Sequence, residues 1–321
     1  KSLSEVDAMK RFDMNEPPRK TKWYLLPLAW ALSFPETWQR RTKIRKHGIK
    51  DLKAPYVLLC NHNSFFDFKV ATRAIFPQRA NYIVAIDGFI GREKLLRDVG
   101  CFCKRKFISD IGLVKHIRYS LNTNKSICAI YPEARYAIVG TTAILPDSLG
   151  KMIKLLKMPV VTLICHGNHL SQPVWNLKKR KVHTSADMTQ IITKEQIESL
   201  SIDEINEITK QAFVYDDYQY QLDNQIHIRE AFRAEGLHKV LYKCPSCGDE
   251  HHMASKGHTL FCEACHKTYA MDTLGQLKAT EGKTEFSHIP DWYEWEREQV
   301  RQEIIAGKYR FEAEVDIDAL P

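Results

Sequence analysis

One stretch of the sequence decides how the rest is interpreted: Tyr56-Val57-Leu58-Leu59-Cys60-Asn61-His62-Asn63-Ser64-Phe65-Phe66-Asp67. Its first half is a continuous apolar run, which is typical of a strand buried on both faces of an α/β sheet. The segment 67–76 that follows has the spacing of a helix. His62 and Asp67 would therefore lie on one turn between a strand and a helix.

This turn carries a possible general base. A carboxylate bonded to one ring nitrogen of His62 would hold the imidazole in one tautomer, so that the other nitrogen can take a proton from a hydroxyl. The spacing alone is a weak signal, because the chain has 13 histidines. A histidine that caps the following helix, with Asp67 as a first-turn acid, explains the same residues equally well.

The order of further motifs favours the catalytic interpretation. The stretch 61–67 resembles the first block of the glycerolipid acyltransferases of the lysophosphatidic acid acyltransferase type. Three later stretches are similar to the family's other blocks, in the family's order: Gly100-Cys101-Phe102-Cys103-Lys104-Arg105, Tyr131-Pro132-Glu133-Ala134-Arg135 and Met158-Pro159-Val160-Val161-Thr162-Leu163. The resemblance covers roughly residues 20 to 185.

The resemblance implies an α/β domain with a mixed central sheet flanked by helices. It also implies that His62 and Asp67 catalyse transfer of a fatty acyl group from a thioester to a lysophospholipid hydroxyl, most simply that of 1-acylglycerol-3-phosphate. Substrate would be bound by the residues of the blocks: Asn63, Ser64, Arg105, Glu133 and Arg135.

Two of these blocks depart from the family pattern. The second is one residue shorter than usual, and the third has only Ala134 between its acid and its arginine. A guanidinium group can donate two parallel hydrogen bonds to the oxygens of a phosphate, so Arg105 and Arg135 would bind the acceptor's phosphate. An ordinary salt bridge, for example between Arg135 and Glu133, is the alternative.

The second strong motif is a pair of Cys-x-x-Cys knuckles, formed by Cys244, Cys247, Cys262 and Cys265. Two such knuckles are typical of a four-cysteine zinc ribbon, in which the closed set of thiolates makes the zinc structural. A zinc site in which His251, His252 or His266 takes the place of one cysteine as a ligand is the less favoured alternative. The other five cysteines lie in apolar runs and are predicted to be small buried hydrophobes in a reducing compartment.

The segment from Trp23 to Phe34 is aromatic and apolar but too short for the roughly 20 residues that cross a bilayer. Basic residues flank it on both sides: Arg19, Lys20, Lys22, Arg40, Arg41, Lys43, Arg45 and Lys46. This composition predicts an interfacial helix that holds the protein peripherally on the cytosolic face of an anionic membrane. A buried first helix with solvated basic flanks is the alternative.

Length and composition fit this organisation. The chain of 321 residues is 44% hydrophobic, enough for one large core and an appended module, and its net charge of +8 favours an anionic partner. We expect a leader and amphipathic helical segment at 1–50, an acyltransferase domain at 51–236, a zinc ribbon at 237–280, and a helix and strand at 281–321. Residues 1 to 20 are predicted to be unstructured, and 193–213 and 223–235 to be helices.

The predicted function is acyl transfer with acyl-CoA or an acyl carrier protein as donor, and with zinc as a structural ion. Two other classes remain open. One is a catalytically silent lipid-binding scaffold, suggested by the altered third block. The other is a nucleic-acid-binding protein, suggested by the ribbon and by the basic cluster at 178–181; nucleic acid is not expected as a partner because the ribbon itself has few basic residues.

Overall fold

The computed structural model describes residues 12–105, 110–312 and 314. Within this part of the chain, a mixed sheet of seven strands has the order β1-β7-β6-β2-β5-β3-β4. Its strands are β1 (Lys43–His47), β2 (Val57–Cys60), β3 (Ala80–Ala85), β4 (Cys101–Lys104), β5 (Ile127–Ile130), β6 (Val160–His166) and β7 (Ser185–Ile192). The strands from β6 to β4 run parallel, β7 is antiparallel to β6, and β1 is parallel to β7.

Helices cover both faces of this sheet. In chain order they are α1 (Leu26–Gln39), α2 (Phe66–Ile75), α3 (Glu93–Asp98), α4 (Ile111–Asn122), α5 (Ser148–Leu156), α6 (Asn168–Ser171), α7 (Lys194–Ser199), α8 (Ile202–Ala212), α9 (Asp217–Asp223) and α10 (Ile289–Ile305). The predicted α/β class, with a mixed central sheet between helices, is confirmed.

The strand β2 lies at the centre of the core. Its four residues are at most 1% exposed, and they alternate between two apolar clusters. Leu58 and Cys60 face the cluster that includes α2, whereas Val57 and Leu59 face the cluster that includes α4, α5 and α8. A strand packed on both faces cannot shift its register without exposing apolar side chains, so the carboxyl end of β2 is held in place.

The carboxyl-terminal part forms a second sheet. The strands β8 (Met253–Lys256), β9 (Thr259–Cys262), β10 (Thr268–Met271) and β11 (Leu277–Ala279) are antiparallel neighbours in sequence order. This ribbon shares an apolar cluster with the main domain, in which Tyr269 and Trp292 pack together with Leu170, Trp175 and Tyr218. The ribbon and α10 are therefore packed on the main domain through a common core.

Several local predictions are wrong. Residues 12–20 are packed rather than unstructured: the Phe12 ring contacts the Phe89 ring at 5.2 Å, and Arg19 pairs with Asp98 at 2.7 Å. The segment predicted as a helix at 223–235 consists of turns and loop after α9. The segment 193–213 forms two helices, because Thr193 and Ser201 each begin a helix with a capping box.

Two boundaries also differ. The strand β1 pairs with β7, so the main sheet begins before residue 51, within the segment expected to be only leader and membrane-facing helix. The strand predicted near the end of the chain falls on 313 and 315–321, outside the described residues.

Candidate active site and metal centre

His62 lies on the turn at the carboxyl end of β2, and Asp67 lies in the first turn of α2, which follows. The Nδ1 atom of His62 is 3.2 Å from Oδ2 of Asp67. Asp67 is only 1% exposed, whereas the His62 side chain is 25% exposed. Because a carboxylate only accepts, Nδ1 is assigned the proton, and Nε2 keeps a free lone pair.

Asp67 also organises the turn itself. Its Oδ2 accepts hydrogen bonds from the backbone N–H groups of Asn63 (2.6 Å) and Ser64 (2.9 Å). The helix α2 begins after Phe65 without a side-chain cap, so the capping histidine considered as the alternative is not formed. The same Asp67 oxygen faces the imidazole. One carboxylate fixes both the loop and the ring.

The side chains of Asn61 and Asn63 tie this loop to β6. Asn61 exchanges two hydrogen bonds with the backbone of Cys165, at 2.8 and 2.9 Å, and Asn63 donates to the Cys165 carbonyl at 3.2 Å. Both asparagines are fully buried and Ser64 is 4% exposed. Asn63 and Ser64, expected to bind substrate, are thus placed inside the turn.

Glu133 follows β5, the neighbour of β2, and its carboxylate is directed at the same loop. Its Oε2 accepts from the backbone N–H of His62 at 2.7 Å, and its Oε1 accepts from that of Ala143 at 2.8 Å. Burial raises the pKa of Glu133, while the two N–H groups and the Tyr215 hydroxyl oppose the rise. The carboxylate of Glu133 is engaged within the protein.

Arg105 and Arg135 are both exposed, at the ends of β4 and β5 respectively. Among the ion pairs of the described residues, none involves either arginine, so the alternative pairing of Arg135 with Glu133 is not formed. Their guanidinium groups face solvent on the same edge of the sheet as His62, where the carboxyl ends of parallel strands form a site.

Three buried residues that the sequence did not single out complete the site. Asn168 donates to Oδ1 of Asp67 at 2.7 Å, and the Tyr215 hydroxyl lies 3.0 Å from Oδ1 of Asn63 and 3.2 Å from Oε1 of Glu133. Asp217 accepts from the backbone N–H groups of Gly167 (2.9 Å) and His169 (3.1 Å), on either side of Asn168.

Burial raises the pKa of Asp217 to about 8, against those two N–H groups and with help from the charge of Asp67. Burial likewise lowers the pKa of His169 to about 3. The imidazole of His169 is therefore neutral at pH 7, and the protonated form of Asp217 is favoured relative to that of an exposed aspartate. The only sequence signal for these supporting residues is the pair Asn168-His169, which follows a predicted strand. Nothing in the sequence connects Tyr215 to the His62 loop.

Two tyrosine rings contact the imidazole of His62. The ring centroid of Tyr131 is 4.4 Å from that of His62, with planes tilted by 38°, and that of Tyr136 is 4.2 Å away, tilted by 44°. Tyr136 follows Arg135 in the sequence, and the turn after β5 brings its aromatic ring to the dyad.

The four ribbon cysteines lie close together. The Sγ atoms of Cys244 and Cys265 are 3.7 Å apart, those of Cys247 and Cys262 are 3.8 Å apart, and all four lie within 4.8 Å of one another. Thiolates at tetrahedral positions 2.3 Å from a zinc ion would be separated by about 3.8 Å. The sulfurs are too far apart for disulfides, which need about 2.05 Å. They are grouped so that they could hold one metal ion.

No histidine belongs to this cluster among the described residues, and it is the only group of possible metal ligands found there. The remaining five cysteines are free and buried, as predicted. In the described part of the chain, no helix combines the length and apolar character needed to cross a membrane.

The fold and the site together define a class: an α/β domain with a paired histidine and aspartate at the carboxyl edge of its parallel strands. Residues 43–166 match the model of the family described as Acyltransferase. This segment is an acyltransferase domain, as the sequence motifs predict.

A similar solved structure is the crystal structure of the 1-acyl-sn-glycerophosphate (LPA) acyltransferase PlsC from Thermotoga maritima. It has a TM-score of 0.49 and 11% sequence identity, and the similarity covers 59% of this chain and 77% of that chain. A comparison with curated proteins gives no match. Asn168, Tyr215, Asp217 and the ribbon all lie beyond the segment that matches the family model.

Proposed function

We propose that the protein transfers a fatty acyl group from an acyl thioester to the hydroxyl of a lysophospholipid. The observation that carries this proposal is the contact between Nδ1 of His62 and Oδ2 of Asp67, inside the segment that matches the acyltransferase family. The buried carboxylate fixes the tautomer, and the partly exposed ring presents Nε2 to a substrate.

The chemistry follows from this geometry. Nε2 of His62 takes the proton of the acceptor hydroxyl while the oxygen attacks the thioester carbonyl carbon, and Asp67 balances the charge on the imidazolium. The tetrahedral intermediate collapses by breaking the carbon–sulfur bond, and the leaving thiolate takes the proton from Nε2. The products are an ester and a free thiol, so no covalent acyl-enzyme is needed.

We assign recognition of the acceptor's phosphate chiefly to Arg135. It lies on the turn after β5, which is adjacent to β2, whereas Arg105 follows β4, three strands from β2, or about 14 Å at the usual strand spacing of ~4.8 Å. An acceptor whose hydroxyl is at His62 reaches Arg135 first, and Arg105 would meet a more distant group. This arrangement supports 1-acylglycerol-3-phosphate as the acceptor.

Glu133, Asn63 and Ser64 contribute to this function by holding the His62 loop, because their polar atoms are bonded within the protein. The donor is acyl-CoA or an acyl carrier protein.

We further propose that the protein binds peripherally to the cytosolic face of a membrane through α1 and the turn before it. Trp23, Leu28, Leu32 and Trp38 are exposed there, and Phe65, on the catalytic turn, is 68% exposed. An apolar surface that includes both the first helix and the loop of the dyad would place His62 at the level of a lipid acceptor.

The rest of α1 is held on the protein by ring contacts of Trp30 and Phe34 with Phe76, at 4.8 and 5.4 Å, and by charge. Glu36 accepts from Lys69 at 2.5 Å, Arg40 at 3.1 Å and Lys179 at 3.2 Å. Burial acts to raise the pKa of Glu36, but the hydrogen bonds from Lys69 and Arg40 hold it down at about 2. Since Arg40 and Lys179 are used in this network, part of the basic flank and of the 178–181 cluster serves the fold.

Other members of those basic segments are also paired. Arg19 and Lys22 bond to Asp98, and Arg45 bonds to Asp187. Apolar contact is thus expected to supply more of the membrane affinity than charge. The same pairing weakens the nucleic-acid alternative, because Arg180 is buried and Lys178 is paired with Glu235.

Zinc is the metal that we assign to the four cysteines, in a structural role. Four sulfurs within 4.8 Å of one another fit a closed tetrahedral site, which leaves no position for a substrate. Two of the sulfurs are buried in the core shared with the main domain, so a bound zinc would stabilise the ribbon and its contact with the domain.

Acyl transfer by variants of the dyad tests the proposed function. His62→Ala should lower kcat roughly 10²- to 10⁴-fold, the usual contribution of a general base, and Asp67→Asn should lower it less. His183→Ala, which removes an exposed histidine outside the site, is the matched control. Full turnover by folded His62→Ala protein would exclude the mechanism, and an inactive wild-type protein that binds lysophospholipid would support the silent scaffold.

A further inference from the structure

The turn after β5 wraps around the catalytic histidine. The backbone N–H of Ala134 donates to the Tyr131 carbonyl at 3.1 Å, and that of Ala137 donates to the His62 carbonyl at 2.7 Å. Ala134 itself has φ of 58°, in the left-handed region. This tight turn, in the block that has only Ala134 between its acid and its arginine, reverses the chain so that Tyr131 and Tyr136 both contact His62.

The two rings contact the imidazole from different sides. In the described part of the chain, each forms a ring contact with His62, at 4.4 and 4.2 Å, but the two tyrosines form none with each other. An imidazole held in this way, with Nδ1 fixed on Asp67, can be approached along its own plane at Nε2. That is the direction from which a hydroxyl must deliver its proton.

We infer that Tyr136, together with Tyr131, is a positioning residue for His62. The two rings form an aromatic clamp that fixes the imidazole plane and stabilises its positive charge. The inference rests on the proposed acyl transfer, in which His62 becomes an imidazolium in the transition state. The faces of phenol rings are electron-rich, so their attraction to the ring grows when the charge develops.

Both phenols remain neutral in this role. Burial raises the pKa of Tyr131 well above its ordinary value, and burial together with the charge of Asp67 raises that of Tyr136. The Tyr131 hydroxyl is buried without a hydrogen-bond partner among the described residues. The ring rather than the hydroxyl is therefore the part of each residue that the site uses, and phenylalanine should replace either.

Tyr136 is the better residue to change, because it is 36% exposed and its loss should leave the core intact. We expect Tyr136→Ala to lower kcat about five- to thirtyfold, the range of one cation–π contact, with little change in KM. Tyr136→Phe should stay within about twofold of wild type. Tyr119→Ala is the matched control, since Tyr119 is 38% exposed on α4, outside the site.

A spectroscopic measurement tests the clamp without relying on activity. In protein with labelled histidines, the ring-proton resonances of His62, assigned by their absence in His62→Ala, should be shifted upfield by the flanking rings. Tyr136→Ala should move them downfield, whereas Tyr136→Phe and Tyr119→Ala should leave them in place.

The two measurements separate the possible failures. If wild-type protein transfers no acyl group but shows these shifts, the proposed function fails and the clamp geometry stands without its catalytic role. The inference is overturned if Tyr136→Ala keeps kcat within twofold of wild type, if Tyr136→Phe is as impaired as Tyr136→Ala, or if the His62 resonances do not respond to loss of the Tyr136 ring.

Discussion

Replacing Asn168 by alanine is the sharpest test of how the dyad is supported. Within the described part of the chain, Oδ2 of Asp67 accepts three hydrogen bonds, whereas Oδ1 accepts one, from Nδ2 of Asn168, at 2.7 Å. Both residues are at most 1% exposed, so water cannot readily replace the lost donor. A hydrogen bond to a charged group contributes about 1.5 to 3 kcal/mol, and Asn168→Ala should lower the free energy of unfolding by about 2 kcal/mol.

The same change should lower kcat about tenfold, the equivalent of ~1.4 kcal/mol. Without Asn168, the Asp67 carboxylate can turn about its Cβ–Cγ bond, and the imidazole spends less time in line with the acceptor hydroxyl. Stability is measured by urea unfolding, and kcat by acyl transfer at saturating donor and acceptor. KM for both substrates should stay within about twofold, because Asn168 is buried beneath the site.

Asn206→Ala is the matched control. Asn206 is also a buried asparagine, with hydrogen bonds to Gly150 N–H (2.8 Å) and to the Asp147 carbonyl (3.1 Å), but it lies on α8, away from the dyad. It should lose a similar amount of stability without losing kcat. Equal kcat in the two variants would refute the positioning role of Asn168 and leave it a purely structural residue.

Asn168→Asp is a second test of the hydrogen bond between Asn168 and Asp67. It places a new carboxyl 2.7 Å from the Asp67 carboxylate, and two like charges at this distance cannot both ionise in a buried site. Activity should be low at high pH and partly recover at lower pH, where the protonated new carboxyl can donate to Oδ1. Activity that is independent of pH, and equal to wild type, would contradict the assigned hydrogen bond.

Four further predictions follow from the structure. Elemental analysis of protein purified without chelator should find about one zinc per chain, and a strong chelator should unfold the ribbon, seen by fluorescence of the buried Trp292, before catalysis is affected; no zinc, or two, would refute this. In liposome flotation, Leu32→Asp should weaken binding to anionic vesicles, and the binding that remains should be the part that salt weakens. Leu155→Asp, on α5, should leave vesicle binding unchanged. Arg135→Ala should raise KM for lysophosphatidic acid more than for monoacylglycerol, and equal losses would make the arginine structural. Burial acts to lower the pKa of His288, but its hydrogen bond to Asp216 at 2.7 Å raises the pKa overall. His288→Gln should therefore lower the free energy of unfolding below about pH 6.5, the pKa of histidine in the unfolded chain. The difference in stability between wild type and this variant should vanish as the pH rises through the pKa of His288 in the folded protein.

The local part of the site could be predicted because its physics is local. His62 and Asp67 are five residues apart, and a buried apolar run followed by polar residues indicates a strand that ends in a turn. The zinc ligands lie within two short knuckles, whose spacing is set by the geometry of a tetrahedral ion. The predictions of a helix at 223–235 and of an unstructured segment at 12–20 are wrong, because local composition does not show whether a segment packs against a distant part of the chain.

The sequence by itself determined the acyltransferase domain, the turn with its histidine and aspartate, and the four cysteines, since each depends on residue types at short separations. Only the tertiary structure decided what holds the dyad in place. Asn168 is 101 residues from Asp67, and Tyr215 is 152 residues from Asn63, and they meet because the sheet brings the ends of β2, β5 and β6 to one edge. A hydrogen bond at 2.7 Å between such distant residues has no periodicity or spacing along the chain, so it follows from the packing of the whole domain and from no shorter segment.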